Sequence, residues 1–314
     1  IFVKYVVCTG NPLMPLKYAL GLGHIGNFLT TLWQPGEAKE RNATVFEDGN
    51  YYTRTDNPED SNGKASLNGE EEYQFSARAM VDRYEKQHFK LSWIVPNYEI
   101  QDVNPEAMAS FSDYASSRDV NAGVWSGDET PKTAPDTPFI QTTSSNPKTL
   151  KDDAIILRDN LKRKRPLIFS NTGIAGSQSR TILAFGDIGG NWENIPTQVA
   201  GFLGSSLSGQ PLIGSAVDGT AGGGNAQISI RDFEWKAFTP LLFNLDDQGK
   251  FSKTPFTYNS KMTQINRAYL KLREQLRTYM YTLIYCAQVG EPIMRPLFLE
   301  FPHEQINYTP QLGR

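Results

Sequence analysis

The run Arg180-Thr-Ile-Leu-Ala-Phe-Gly-Asp187-Ile-Gly-Gly-Asn-Trp192 carries an apolar stretch, 181–185, that stops at Gly186-Asp187 and is followed by a Gly189-Gly190 pair and a single tryptophan. A continuous apolar run bounded by glycine is the pattern of a strand buried on both faces, as parallel sheets require. A carboxylate at its end would stand at the mouth of a barrel, where parallel barrels place their chemistry. The same aspartate could instead cap the following helix. The residues of this run support both readings equally.

Working outward, similar runs recur. Downstream lie Pro211–Ala216 and Thr239–Asn244. Upstream lie Pro166–Asn171, Pro138–Thr143, Asn121–Asp128, Leu91–Asn97 and a short apolar run closed by glycine and asparagine at Tyr18–Asn27. Helical spacing of apolar residues fills intervals between them, at about 71–89, 105–117 and 149–165, and again at 260–289 after the last strand. In this last helix Ile265, Leu272, Leu276, Met280 and Leu283 form the expected inward stripe, with Gly290 and Pro292 as the stop. Alternating strands and helices predict a parallel sheet. Eight strand candidates in 314 residues predict a (β/α)8 TIM barrel, an α/β fold. Two irregularities stand out. A polar excursion over 34–70, with one hairpin near Tyr51-Tyr52, follows strand one. Between the third and fourth strands the chain is rich in proline and threonine and too short for a normal helical crossover, so the barrel is expected to be incomplete there.

Composition narrows the function classes. A formal net charge of −3 gives no global attraction to nucleic acid or to an anionic membrane, and no apolar stretch reaches the length of a membrane span. Cys8 and Cys286 match no metal spacing, and His24, His88 and His303 are scattered, so neither a metal nor a redox cofactor is expected. The basic run Lys162-Arg-Lys-Arg165 before Pro166 reads as a helix C-terminus. The sequons at Asn42 and Asn307 permit a secreted origin, which is the expected location. Nothing in the sequence bears on oligomeric state.

At Asp187 several strings together resemble glycoside hydrolase family 31. They are Ala175-Gly-Ser-Gln178, Phe185-Gly-Asp187 with Trp192-Glu193, Leu207-Ser-Gly-Gln-Pro-Leu-Ile-Gly214, Val217-Asp-Gly219, Arg231-Asp-Phe-Glu-Trp-Lys-Ala-Phe-Thr-Pro240 and Met294-Arg-Pro-Leu-Phe-Leu-Glu300. Lys17-Tyr-Ala-Leu-Gly21, Phe75-Ser-Ala-Arg78 and Trp93-Ile-Val-Pro-Asn97 extend the match into the N-terminal half. Within the family the chain resembles the branch of 6-α-glucosyltransferases and α-N-acetylgalactosaminidases. The resemblance implies a retaining α-glycosidase or α-transglucosidase acting on α-linked oligo- or polysaccharide, with Asp187 as general acid/base. It also implies sugar-binding positions at Trp93, Asn97, Trp125, Arg180, Trp192, Asp218 and Asp246.

A retaining enzyme needs a second carboxylate about 5 Å from the acid. The family carries it at the end of strand four. The nearest candidates here are Asp136, between two prolines, and Asp128, at the tip of strand three; a solvated loop carboxylate is the alternative reading of each. Other positions depart from the family pattern: Ser179 where arginine is usual, Ala184 for tryptophan, Ala216 for aspartate and Tyr98 for aspartate. A barrel that has kept the fold and lost its activity is therefore the competing expectation, as is a fragment of a longer enzyme. The expected domains are a lead-in at 1–16, the barrel at 17–290, and the start of a C-terminal β-sandwich at 291–314.

Overall fold

The computed structural model describes residues 31–35, 45–47, 50–52, 77–95, 105–126, 139–142, 146, 148, 167–171, 173, 178, 181–184, 189–219, 222–246, 253–288 and 290–308. Its strands are β1 (Thr31–Pro35), β2 (Val45–Glu47), β3 (Asn50–Tyr52), β4 (Trp93–Ile94), β5 (Asn121–Ala122), β6 (Val124–Ser126), β7 (Phe139–Thr142), β8 (Leu167–Ser170), β9 (Thr181–Ala184), β10 (Ile213–Ala216) and β11 (Leu241–Asp246). Its helices are α1 (Ala77–Lys86), α2 (Pro105–Ser116), α3 (Asn194–Leu207), α4 (Ala226–Lys236), α5 (Ser260–Gln275), α6 (Arg277–Gln288) and α7 (Leu297–Glu300), with a 3-10 turn at Gln305–Tyr308. No described helix is long and apolar enough to cross a membrane.

The main sheet is parallel throughout, in the order β5-β4-β1-β11-β10-β9-β8-β7-β6. Its two ends are one stretch of chain. Residues 121 and 122 pair with β4, and after Gly123 residues 124–126 pair with β7. The Gly123 N–H bonds the Ile94 carbonyl at 2.7 Å, so the change of partner leaves no donor orphaned. Counting 121–126 as one strand, the barrel has the eight strands expected. The irregularity expected between strands three and four, at 127–138, falls outside the described residues. The excursion after strand one contains the expected hairpin, with β2 antiparallel to β3.

Two expectations are corrected. Strand one, which pairs with β4 and β11, is Thr31–Pro35 and not 18–27, which lies outside the described residues. The Thr-Leu-Trp run has the β-branched and aromatic side chains that suit a pleated surface, whereas Leu20-Gly-Leu-Gly23 spends alternate positions on glycine. The long C-terminal helix is two helices, broken at Leu276. Its buried residues are Asn266, Leu270, Arg273, Met280, Ile284 and Ala287, while Leu272 is 37% exposed. The face of α5 turned inward carries polar groups with work to do, which an apolar stripe cannot reveal. Arg273 donates to the carbonyls of Ala237, Thr239 and Pro240, satisfying backbone acceptors beyond the end of α4.

The period of two along each strand divides the core. Ile94, Ala122, Ile168 and Leu242 pack outward with Met80, Val81 and Tyr84 of α1, Phe111 and Ala115 of α2, Phe233 of α4 and Leu270 of α5. Their neighbours Trp93, Val95, Phe169 and Phe243 belong to the second cluster. The Phe169 and Phe243 rings meet edge to face, 5.0 Å apart, although β8 and β11 are separated in the sheet by β9 and β10. Contact between non-adjacent strands must cross the lumen, so this cluster reaches through the barrel interior, and Met280 and Ile284 of α6 join it.

Candidate active site

A parallel barrel collects the C-terminal ends of its strands on one face. Of the residues singled out from sequence, Asp187, Asp128, Asp136, Asn97 and Arg180 lie outside the described residues. Trp125 lies within β6, opposite Gln141, and Asp246 ends β11, opposite Pro35. Trp93 is 5% exposed and packs in the lumen cluster. Trp192 is 49% exposed, at the turn between Gly190 and α3.

Asp218 is the candidate whose surroundings are most fully defined. It follows β10, has φ of 62° and is 2% exposed. A left-handed backbone is tolerable for aspartate, and here it is fixed from below. The Asp218 N–H donates to Oδ2 of Asp232 at 2.6 Å. Asp232 also accepts from Trp235 Nε1 at 2.8 Å and from Lys236 Nζ at 2.5 Å, and Lys236 donates to the Ala216 carbonyl at 2.6 Å. Lys236 is 0% exposed; burial lowers its pKa, against the opposing pull of Asp232. From above, the Lys253 ammonium donates to the Gly219 carbonyl. The turn at the tip of strand seven is thus held by two buried lysines and one buried aspartate.

Neither oxygen of the Asp218 carboxyl meets full hydrogen-bond geometry with a described residue; the Gly190 N–H is the donor that approaches it. Burial raises its pKa to about 6; Lys253 opposes that shift, Asp232 adds to it, and the Gly190 N–H and Lys236 oppose it more weakly. A carboxyl poised near neutrality with open hydrogen-bonding capacity can donate to or accept from a hydroxyl. Tyr258 lies close by. Its hydroxyl accepts from the Gly224 N–H at 3.0 Å, and burial first, then Asp218, raises its pKa against the hydrogen bonds from Gly224 and with Ser229.

The segment after Asp187 closes onto this turn. A Cβ on Gly189 would overlap the backbone of Asp218 and Gly219, and one on Gly190 would come within 2.9 Å of the Gly222 Cα. Asn194 Nδ2 donates to the Gly189 carbonyl at 2.8 Å, and Asn191 Oδ1 accepts from the Asn194 N–H at 2.9 Å at the start of α3. The glycine pair therefore serves close approach. Among the described residues no three His, Cys, Asp or Glu side chains lie together in a metal-binding arrangement.

Sequence reasoning marked Asp218 and missed its supports. Asp232 and Lys236, four apart on α4, have the spacing of an ordinary solvated ion pair. The available signal was the pair of aromatics, Phe233 and Trp235, that lie between Asp232 and Lys236. Lys253, distant in sequence, gave none.

The profile described as "Glycosyl hydrolases family 31 TIM-barrel domain" matches residues 112–283, from within α2 to within α6. The lysosomal alpha-glucosidase of Rattus norvegicus is 32% identical over 146 residues, 46% of this chain and 15% of that protein. Alpha-glucosidase 2 of Bacillus thermoamyloliquefaciens is 31% identical over 150 residues, 48% of this chain and 19% of that protein. Among solved structures, the family 31 alpha-glucosidase of Bacteroides thetaiotaomicron superposes with a TM-score of 0.71 at 15% identity, covering 93% of this chain and 60% of that one. The GH31 dextranase of Flavobacterium johnsoniae complexed with glucose gives 0.71 at 14%, covering 95% and 46%. The matched segment is thus a small part of the curated relatives, and the chain spans 60% or less of these two structures. A closed parallel barrel and a family profile over more than half of its length say the same thing: the chain belongs to glycosyl hydrolase family 31.

Proposed function

We propose that this chain is the catalytic barrel of a retaining α-glycoside hydrolase or α-glucosyltransferase acting on α-glucosidic oligo- or polysaccharides, with Asp187 as general acid/base. One observation carries the reading. Asp187 comes three positions after Ala184, the last residue of β9, and parallel barrels draw their catalytic residues from just beyond the ends of their strands. The chain then folds back at Gly189 against Asp218, the turn of the neighbouring strand. The F. johnsoniae dextranase, solved with glucose, supports an α-glucan as the substrate class.

In this reading Asp187 protonates the leaving glycosidic oxygen while a second carboxylate attacks the anomeric carbon. Deprotonated Asp187 then activates water or an acceptor sugar hydroxyl to release the glycosyl group. Trp192 offers an exposed ring face to the sugar, while the buried Asp218 carboxyl stands within the turn that backs it. For the nucleophile, chain order favours Asp128: it comes two positions after the end of β6, as catalytic residues of parallel barrels come after their strands, whereas Asp136 comes three positions before the start of β7.

A second reading is favoured by a specific observation. β7, the fourth barrel strand, ends at Thr142 and runs on into Thr143-Ser-Ser-Asn146, with no carboxylate where the family carries its nucleophile. A sugar-binding barrel without hydrolytic activity would look like this. Trapping with a fluorinated α-glucosyl fluoride separates the two. A labelled peptide containing Asp128, together with aryl α-glucoside turnover that falls about 10²- to 10⁴-fold in Asp187→Asn, supports the enzyme. Absence of both label and turnover, with retained binding of isomalto-oligosaccharide, supports the binding barrel.

A further inference from the structure

The two glycines after the acid are held by residues far away in sequence. Gly189 and Gly190 lie against Asp218, Gly219 and Gly222 with no room for a methyl group on either side. A Cβ on Gly222 would overlap the Asp218 carbonyl oxygen and lie 2.8 Å from its Oδ1. Gly190, Asp218, Gly219, Gly223 and Gly224 all have positive φ, so this contact joins two loops whose backbones are committed to left-handed turns. Such an interface transmits displacement, because close-packed backbone cannot absorb it by changing rotamer.

We propose that Lys253, with the Asp232–Lys236 pair, positions the segment that follows Asp187. Lys253 ties the 253–258 segment to the Gly219 carbonyl, and Asp232 ties α4 to the Asp218 N–H. Together they fix the turn on which Gly189 and Gly190 rest. None of the three needs to touch substrate. Their role is to stop the loop carrying the acid from drifting away from the strand-seven turn. The groups facing Asp218 in this arrangement are Lys253, Asp232, Lys236 and Tyr258, and the carboxyl rises to a pKa near 6 among them.

The inference rests on Asp187 as the acid for its functional meaning, but its test does not require turnover. Hydrogen exchange at the amides of residues 189–191 is compared in the wild-type chain, Lys253→Met, Lys253→Arg and Gly222→Ala. Lys253→Met and Gly222→Ala act on the turn from opposite sides, and neither alters the segment being read. Both are expected to speed exchange at 189–191 about tenfold or more while protection in β10 and β11 stays at the wild-type level, the pattern of local rather than global opening. Lys253→Arg, which keeps a cation and a donor, is expected to return exchange to within about threefold of wild type. Unchanged exchange at 189–191 in both disruptive variants overturns the proposal. So does a uniform rise across the barrel strands, which would make Lys253 a generic stability residue. A failed fluorosugar label with the local effect intact removes the acid reading alone, so the two failures are distinguishable.

Discussion

The Asp218 N–H donates to Oδ2 of Asp232 across 2.6 Å of protein interior, and the same oxygen accepts from Lys236 Nζ. One carboxylate thereby holds a backbone turn and neutralises a fully buried ammonium. Removing one member of a buried pair strands the other. Asp232→Asn or Lys236→Met is expected to cost about 3–5 kcal/mol, and the double variant less than the sum of the two. Urea unfolding of the four proteins checks this; additive losses would mean that the pair is not coupled.

Asp218 sets a pH dependence of definite sign. Its folded pKa of about 6 lies above the unfolded value of 3.8, so between these limits the folded chain holds a proton that the unfolded chain has lost. This group therefore favours folding below about pH 4, and its contribution falls away as pH rises through about 6. Asn accepts the left-handed backbone and never ionises. The melting temperature of Asp218→Asn relative to wild type should rise between about pH 4 and 6 and level off above that. Thermal melts across the range decide it, and a flat difference would assign the ionisation elsewhere.

Arg273 carries three hydrogen bonds to carbonyls beyond α4, and burial lowers its pKa to about 10. Arg273→Met is expected to cost about 3 kcal/mol, because buried carbonyls lose their donors. Lysine has no planar fork and should recover only part of that. Denaturant midpoints for the two variants give the comparison.

Across the lumen, Phe169→Ala should cost about 3–5 kcal/mol. A double-mutant cycle with Phe243→Leu should return a coupling of about 0.5–1.5 kcal/mol. A null coupling would mean that the rings do not meet through the barrel interior.

What could be read from the sequence divides along physical lines. The β8, β9, β10 and β11 regions were legible because strands buried on both faces leave unbroken apolar runs, and all four lie within the expected spans or extend them at one end. Strand one was misplaced because two apolar segments compete near the N-terminus and glycine was read as a strand end instead of a strand weakener. The break at Leu276 was hidden because both halves have helical spacing and no proline marks the junction. In the site, Asp218 was legible through the resemblance, in the string Val217-Asp-Gly219. Its fastening was not, since Asp232 and Lys236 have the spacing of surface residues and only tertiary packing makes them buried. Ala184, singled out as a departure from the family, is 8% exposed and packs in the lumen cluster.

The six residues 121–126 give this barrel a seam. Here the circuit is completed in two halves that change partners at Gly123. Separating either half would turn the ring into an open arc with two unpaired edges, and such edges recruit other strands. A change at 123 that stiffens or splays the chain would thus show first as self-association, before any loss of the eight-strand count.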